Sequence, residues 1–90
     1  MGVRYVVKTP KKLGKIIRDM PPNAVKTLVR LIDDLGDTGP IRPEYPNYSK
    51  LGAITYHCHL AYSWAACWRC EKGEYIVEVE YVGSREKAPY

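Results

Sequence analysis

The sequence predicts an α+β domain in which an amino-terminal strand and a helical hairpin pack on a twisted antiparallel sheet, in the order β-α-α-(β)-β-β-β. Two observations carry this reading. Residues 53–90 hold three apolar-rich segments, AITYHCHL, SWAACWRCEKG and EYIVEVEYVG, separated by short polar breaks as in an antiparallel meander. Residues 9–35 instead place apolar side chains at helical spacing, interrupted once by Pro21-Pro22. Ninety residues, 46% of them hydrophobic, suffice for a single domain, 1–90, around one core.

Residues 3–8 (VRYVVK) are β-branched and aromatic and read as the first strand. Thr9-Pro10 is a helix-start signal, Thr as N-cap and Pro at the first helical position. Leu13, Ile16, Ile17 and Met20 then form one stripe at i, i+3, i+4, i+7, with Lys11, Lys15 and Arg18 on the other side. After the Pro-Pro break, Val25, Leu28, Val29, Ile32 and Leu35 mark the buried face of a second helix, which Gly36 is placed to cap. Residues 36–52 are rich in Gly and Pro and read as irregular, with a short edge strand near 45–50.

Parity assigns the faces of the sheet. Ile54, Tyr56, Cys58 and Leu60 form the apolar set of their strand, so His57 and His59 point to the opposite, open face. Ala66, Trp68 and Cys70 should face the helices and Arg69 the open side. In the last strand Tyr75, Val77, Val79 and Tyr81 should pack inward, and Ile76, Glu78, Glu80 and Val82 outward. The open face is thus expected to carry His57, His59, Arg69, Glu78 and Glu80.

Charge and composition bound the function classes. The net charge is +4, and it is uneven: residues 1–50 hold ten Lys/Arg against five Asp/Glu, while residues 51–90 hold four against five. That suits an acidic partner, either nucleic acid or an acidic protein segment. No apolar run reaches membrane-spanning length and no signal-peptide pattern opens the chain, so neither a membrane nor secretion is expected. Three cysteines, an odd count, favour reduced thiols and a cytoplasmic setting.

Several constellations have a functional and a plain reading. Cys67 and Cys70 form a C-x-x-C near two histidines, which suggests zinc or a redox pair. On a strand, residues three apart face opposite sides, so ordinary buried thiols are favoured and no metal is expected. The lysines and arginine of the first helix suit a solvated face or a nucleic-acid footprint. His57 and His59, the two histidines of the chain, suit surface polarity or proton transfer near neutral pH.

The order of elements, together with YSKLG (48–52) followed by YHCHL (56–60) and the ending YVGSREKAPY, resembles the RelE/ParE superfamily of bacterial toxins across nearly the whole chain. The resemblance implies a ribosome-dependent messenger-RNA endonuclease, neutralised by a cognate antitoxin and needing no cofactor and no small-molecule substrate. It makes His57, His59, Arg85 and Tyr90 the implied catalytic residues. Lys50, Arg69 and Lys87 become substrate-binding residues, and Lys11, Lys15 and Arg18 the antitoxin surface. Ser84 stands where the family commonly has histidine, and Glu78 and Glu80 would repel phosphate. Two rivals are a non-enzymatic topoisomerase-binding toxin of the ParE type and a decayed interaction module.

Overall fold

A computed structural model describes residues 4–89, so Tyr90 lies outside the described residues. The elements are β1 (Val6–Lys8), a 3-10 turn (Lys11–Leu13), α1 (Gly14–Asp19), α2 (Pro22–Thr38), β2 (Ser49–Lys50), β3 (Thr55–Ala61), β4 (Trp64–Arg69), β5 (Ile76–Ser84) and a second 3-10 turn (Arg85–Lys87). The strands form one sheet in the order β1-β5-β4-β3-β2. The sheet is mixed, which corrects the all-antiparallel expectation. β1 runs parallel to β5, with Val6 opposite Ile76 and Lys8 opposite Glu78. β2 to β5 alternate in direction, so β5 runs opposite to β2, and the two-helix connection sets β2 opposite to β1.

The first helix is shorter than its apolar stripe suggested. Pro10, in extended conformation, occupies the cap position with no side-chain hydrogen bond, so Thr9 does not cap the turn. Leu13 and Met20 are buried, while Ile16 and Ile17 pack only partly against the core. In α2 the buried face is rotated from the one expected. Ala24, Leu28, Leu31 and Leu35 are the buried residues, and Val29 is 55% exposed. Ala24 and Leu31 complete an i, i+4, i+7, i+11 stripe that excludes Val29.

The end of α2 also departs from expectation. Gly36 lies inside the helix, and its carbonyl accepts from Tyr5 N–H at 2.8 Å, which ties β1 alongside. Gly39 takes the cap, at φ 91° with its N–H donating to Leu35 O at 2.9 Å. That left-handed conformation favours glycine, and a Cβ there would sit 2.7 Å from the Tyr5 ring.

The core lies between α2 and one face of the sheet. Tyr56, Cys58 and Leu60 from β3, Ala66 and Trp68 from β4, and Val77, Val79 and Val82 from β5 are buried in it. Trp68 stacks on Tyr56 at 6.2 Å, lies 6.3 Å from Tyr48, and donates Nε1–H to Pro40 O at 3.0 Å. The irregular segment before β2 is therefore pinned onto the core. Tyr45 fastens it from the other side, donating its hydroxyl to Asp34 Oδ2 at 2.6 Å under the Arg30 guanidinium.

Parity holds in β3 and β4 and fails in the second half of β5. A register shift between Cys67 and Trp68 leaves Glu80 as an extra residue, with Cys67 opposite Tyr81 and Trp68 opposite Val79. A bulge of this kind exchanges the faces beyond it. Val82 consequently enters the core and Tyr81 turns to the open face, the reverse of the simple alternation. Tyr75 precedes β5, is 51% exposed, and meets Tyr5 edge-on.

Candidate active site

Strand pairing sets a row of polar side chains across the open face. Ser49 on β2 is opposite His57 on β3, His57 is opposite Cys67 on β4, and Cys67 is opposite Tyr81 on β5. His57 is buried there, 7% exposed, and shares a 2.9 Å hydrogen bond between its Nδ1 and Ser49 Oγ. Its ring meets His59 edge-on at 5.9 Å. His59 is half-buried and opens into a cleft of about 550 Å³ lined also by Tyr62, Ser63, Ser84, Arg85 and Glu86.

Three chain segments build that cleft. The end of β3 supplies His59, whose N–H donates to Pro46 O at 2.8 Å and so joins the pinned segment to the sheet. The β3–β4 turn supplies Tyr62 and Ser63, and the tail after β5 supplies Arg85 and Glu86. The tail is fastened to the turn twice. Arg85 N–H donates to Ser63 O at 2.9 Å, and its guanidinium donates to Tyr62 O at 2.7 Å. A guanidinium has five N–H donors in all, so most of its donor capacity remains for an anion.

Both histidines are held below the ordinary imidazole pKa. Burial is the larger cause for His57, opposed by hydrogen bonding to Ser49. For His59 the causes are burial, then the positive charge of Arg85, then His57. Neutral imidazole beside a fixed cation can accept a proton, and the pair would gain from an anion placed between them.

A stability consequence follows. Protonation is weaker in the folded state, so the unfolded chain binds more protons as pH falls, and stability rises with pH across that window. The contribution of these groups is fully present above the unfolded value of about 6.5 and is lost as pH falls through the folded values. The urea midpoint should therefore drop as pH falls below about 6.5, and the double variant His57→Gln/His59→Gln should flatten that drop. A wild-type midpoint that holds steady through this range would contradict the account.

No family model matches the sequence, and no curated protein matches it. Solved structures do. A chain of the archaeal RelE-RelB complex from Pyrococcus horikoshii OT3 superposes with TM-score 0.73 at 15% identity, covering 96% of this chain and all of that one. This is a RelE-like fold. A mutant of E. coli toxin RelE in the free state superposes with TM-score 0.70 at 15% identity, over 96% of this chain and 88% of that one. The toxin-antitoxin complex RelBE2 from Mycobacterium tuberculosis gives TM-score 0.66 at 20% identity, over 92% of this chain and 100% of that one.

Within the RelE-like sheet, His59 and Arg85 meet in one cleft and His57 stands behind them. The other expected substrate residues do not join them. Lys50 is opposite Tyr56 and holds its Nζ 5.8 Å from that ring, on the helix side of the sheet; alternation along β2 gives the open face to Ser49 instead. Arg69 is on the open face but faces Glu71 at 3.8 Å, Glu78 at 3.6 Å and Glu80 at 3.8 Å. Three carboxylates around one guanidinium leave that end of the sheet acidic. Lys87 lies in a separate groove with Lys12, Leu13, Ile16 and Trp64. Cys67 and Cys70 point to opposite faces, and burial pushes the Cys67 thiol up to about 11. Among the described residues no cluster of His, Cys, Asp or Glu could hold a metal ion, and no helix is long and apolar enough to cross a membrane.

The sequence reading missed Ser49 and Tyr62. Nothing in the chain announces Ser49, because its role depends on the β2–β3 register. Tyr62-Ser63 was visible only as a polar break between two strands.

Proposed function

We propose that this protein is the toxin of a toxin-antitoxin pair, and that it arrests translation by cleaving messenger RNA on the ribosome through acid-base chemistry of its own side chains. The RelE-like fold supports the toxin reading. The observation that carries the chemistry is the pairing of a neutral-leaning His59 with Arg85 in an open cleft. RNA can be cut by its own 2′-hydroxyl, which attacks the adjacent phosphorus while the bond to the 5′-oxygen breaks. The products are a 2′,3′-cyclic phosphate and a free 5′-hydroxyl. His59 takes the 2′-hydroxyl proton, and Arg85 stabilises the charge building on the phosphoryl oxygens. His57, shielded and tied to Ser49, positions His59. Tyr90 remains the proposed donor to the leaving oxygen and lies outside the described residues.

Induced expression of the chain alone, with growth followed and messenger-RNA ends mapped on ribosomes, tests this. Growth arrest with new 5′-hydroxyl ends is expected. Arrest without cleavage would move the protein to the topoisomerase-binding class, and no arrest would leave an interaction module. The acidic cluster around Arg69 favours a short RNA footprint at the His59 end over one along the whole open face.

The proposed antitoxin surface is the hairpin side. Lys11, Lys15 and Arg18 are all exposed there, suited to an acidic segment that folds on binding. Reversing these three charges should weaken antitoxin binding and flatten its dependence on salt, measured by titration at several ionic strengths. Unchanged affinity and slope would place the antitoxin elsewhere.

A further inference from the structure

Resting on the proposed RNA cleavage, we infer that Tyr62 is a stacking platform for a nucleobase, placed so that the phosphate next to that base falls at Arg85. Tyr62 occupies the β3–β4 turn and is 89% exposed, the most exposed of the large hydrophobic side chains among the described residues. A single exposed tyrosine is ordinary, but this one sits where two clefts meet. It lines the first with His59, Ser63 and Arg85, and a second of about 340 Å³ with Pro46, Asn47 and Leu60.

Its backbone is also tethered to the tail. The two Arg85 hydrogen bonds fix the carbonyls of Tyr62 and Ser63, so the ring is presented from a rigid base while its faces stay open to solvent. An exposed aromatic ring beside a guanidinium in one cleft matches single-stranded nucleic acid, in which each base accompanies one phosphate. The tether couples the two contacts, because the arginine offered to the phosphate is the one that holds the aromatic in place. The site takes a nucleotide in single-stranded RNA and tolerates different bases, since every base has a π-face.

Single-turnover cleavage on programmed ribosomes, with the toxin concentration varied, separates this inference from the reading beneath it. Tyr62→Ala should raise the half-saturating concentration roughly 5- to 150-fold, while Tyr62→Phe and Tyr62→Trp stay near wild type. A message carrying an abasic nucleotide at the contacted position should raise the wild-type value similarly and make Tyr62→Ala no worse. Melting temperatures should be alike for all variants, as the side chain is exposed. Wild-type cleavage with an unchanged half-saturating concentration in Tyr62→Ala overturns the platform, and so does a Phe variant as poor as Ala, since that would show the hydroxyl to be the contact. A wild-type protein that cleaves no message overturns the RNA reading itself, and the platform with it.

Discussion

His59→Gln should slow messenger-RNA cleavage by roughly 10²- to 10⁴-fold, the usual contribution of a positioned proton-transfer group, while leaving the fold intact. Gln keeps the approximate size of the imidazole and one hydrogen-bonding function, and it cannot take the proton. Arg85→Ala should cost on the order of 10²- to 10³-fold, as for loss of a donor to developing anionic charge, and it also releases the tail from the β3–β4 turn. Arg85→Lys distinguishes the two effects, because it keeps the charge but cannot reproduce the fork that holds Tyr62 O. His57→Gln should lose less than His59→Gln. Its signature should be a His59 that titrates at higher pH, since His57 is one of the groups depressing it. Rates measured in single turnover across pH would show this as a shifted limb. Equal, full activity in both histidine variants would remove imidazole from the mechanism and leave Arg85 as an electrostatic catalyst.

Trp68→Ala should destabilise the fold by ~3–5 kcal/mol, a large share of the ~5–15 kcal/mol typical of a domain. The side chain is fully buried, stacked on Tyr56, and hydrogen-bonded to the carbonyl of Pro40. Its removal therefore opens a cavity and also frees the segment before β2, which carries Pro46 to the cleft. Trp68→Phe keeps most of the packing but leaves Pro40 O without its donor, for a cost of ~1–3 kcal/mol. Urea unfolding followed by the fluorescence of Trp64, the second tryptophan, gives both numbers. A loss under ~1 kcal/mol for Trp68→Ala would mean that the site collapses freely and the segment is held by Tyr45 alone.

Much of the fold was readable because its signals are local. Alternation in β3 separated His57 and His59 from Cys58, and Arg69 oriented β4, both as found. The bulge at Glu80 was invisible, since an extra residue in one strand is defined only against its partner; hence Val82 and Tyr81 were assigned to the wrong faces. The rotated face of α2 arose because Val29 is as apolar as Leu31, and only the sheet beneath decides between them. In the site, His59 and Arg85 line one cleft. Lys50, Arg69 and Lys87 do not join them, because placing a cation near a histidine on a neighbouring strand or from a tail requires register and pairing partners that no single segment encodes.

The parallel pairing of β1 with β5 has a consequence in time. Val6 to Lys8 find their partners at Ile76 to Glu78, so one edge of the sheet cannot close until those residues have been made. At ~5–20 residues per second of synthesis, the first strand waits roughly 3–14 s for the last. Until then β1 is held only from the helix side, by Tyr5 against Gly36 and Gly39. The tail that brings Arg85 to His59 is made later still. A partly made chain therefore has no assembled cleft, and contacts between such distant segments make the closing step slow relative to the local helices. The His59–Arg85 cleft is thus completed late, after the hairpin has been made.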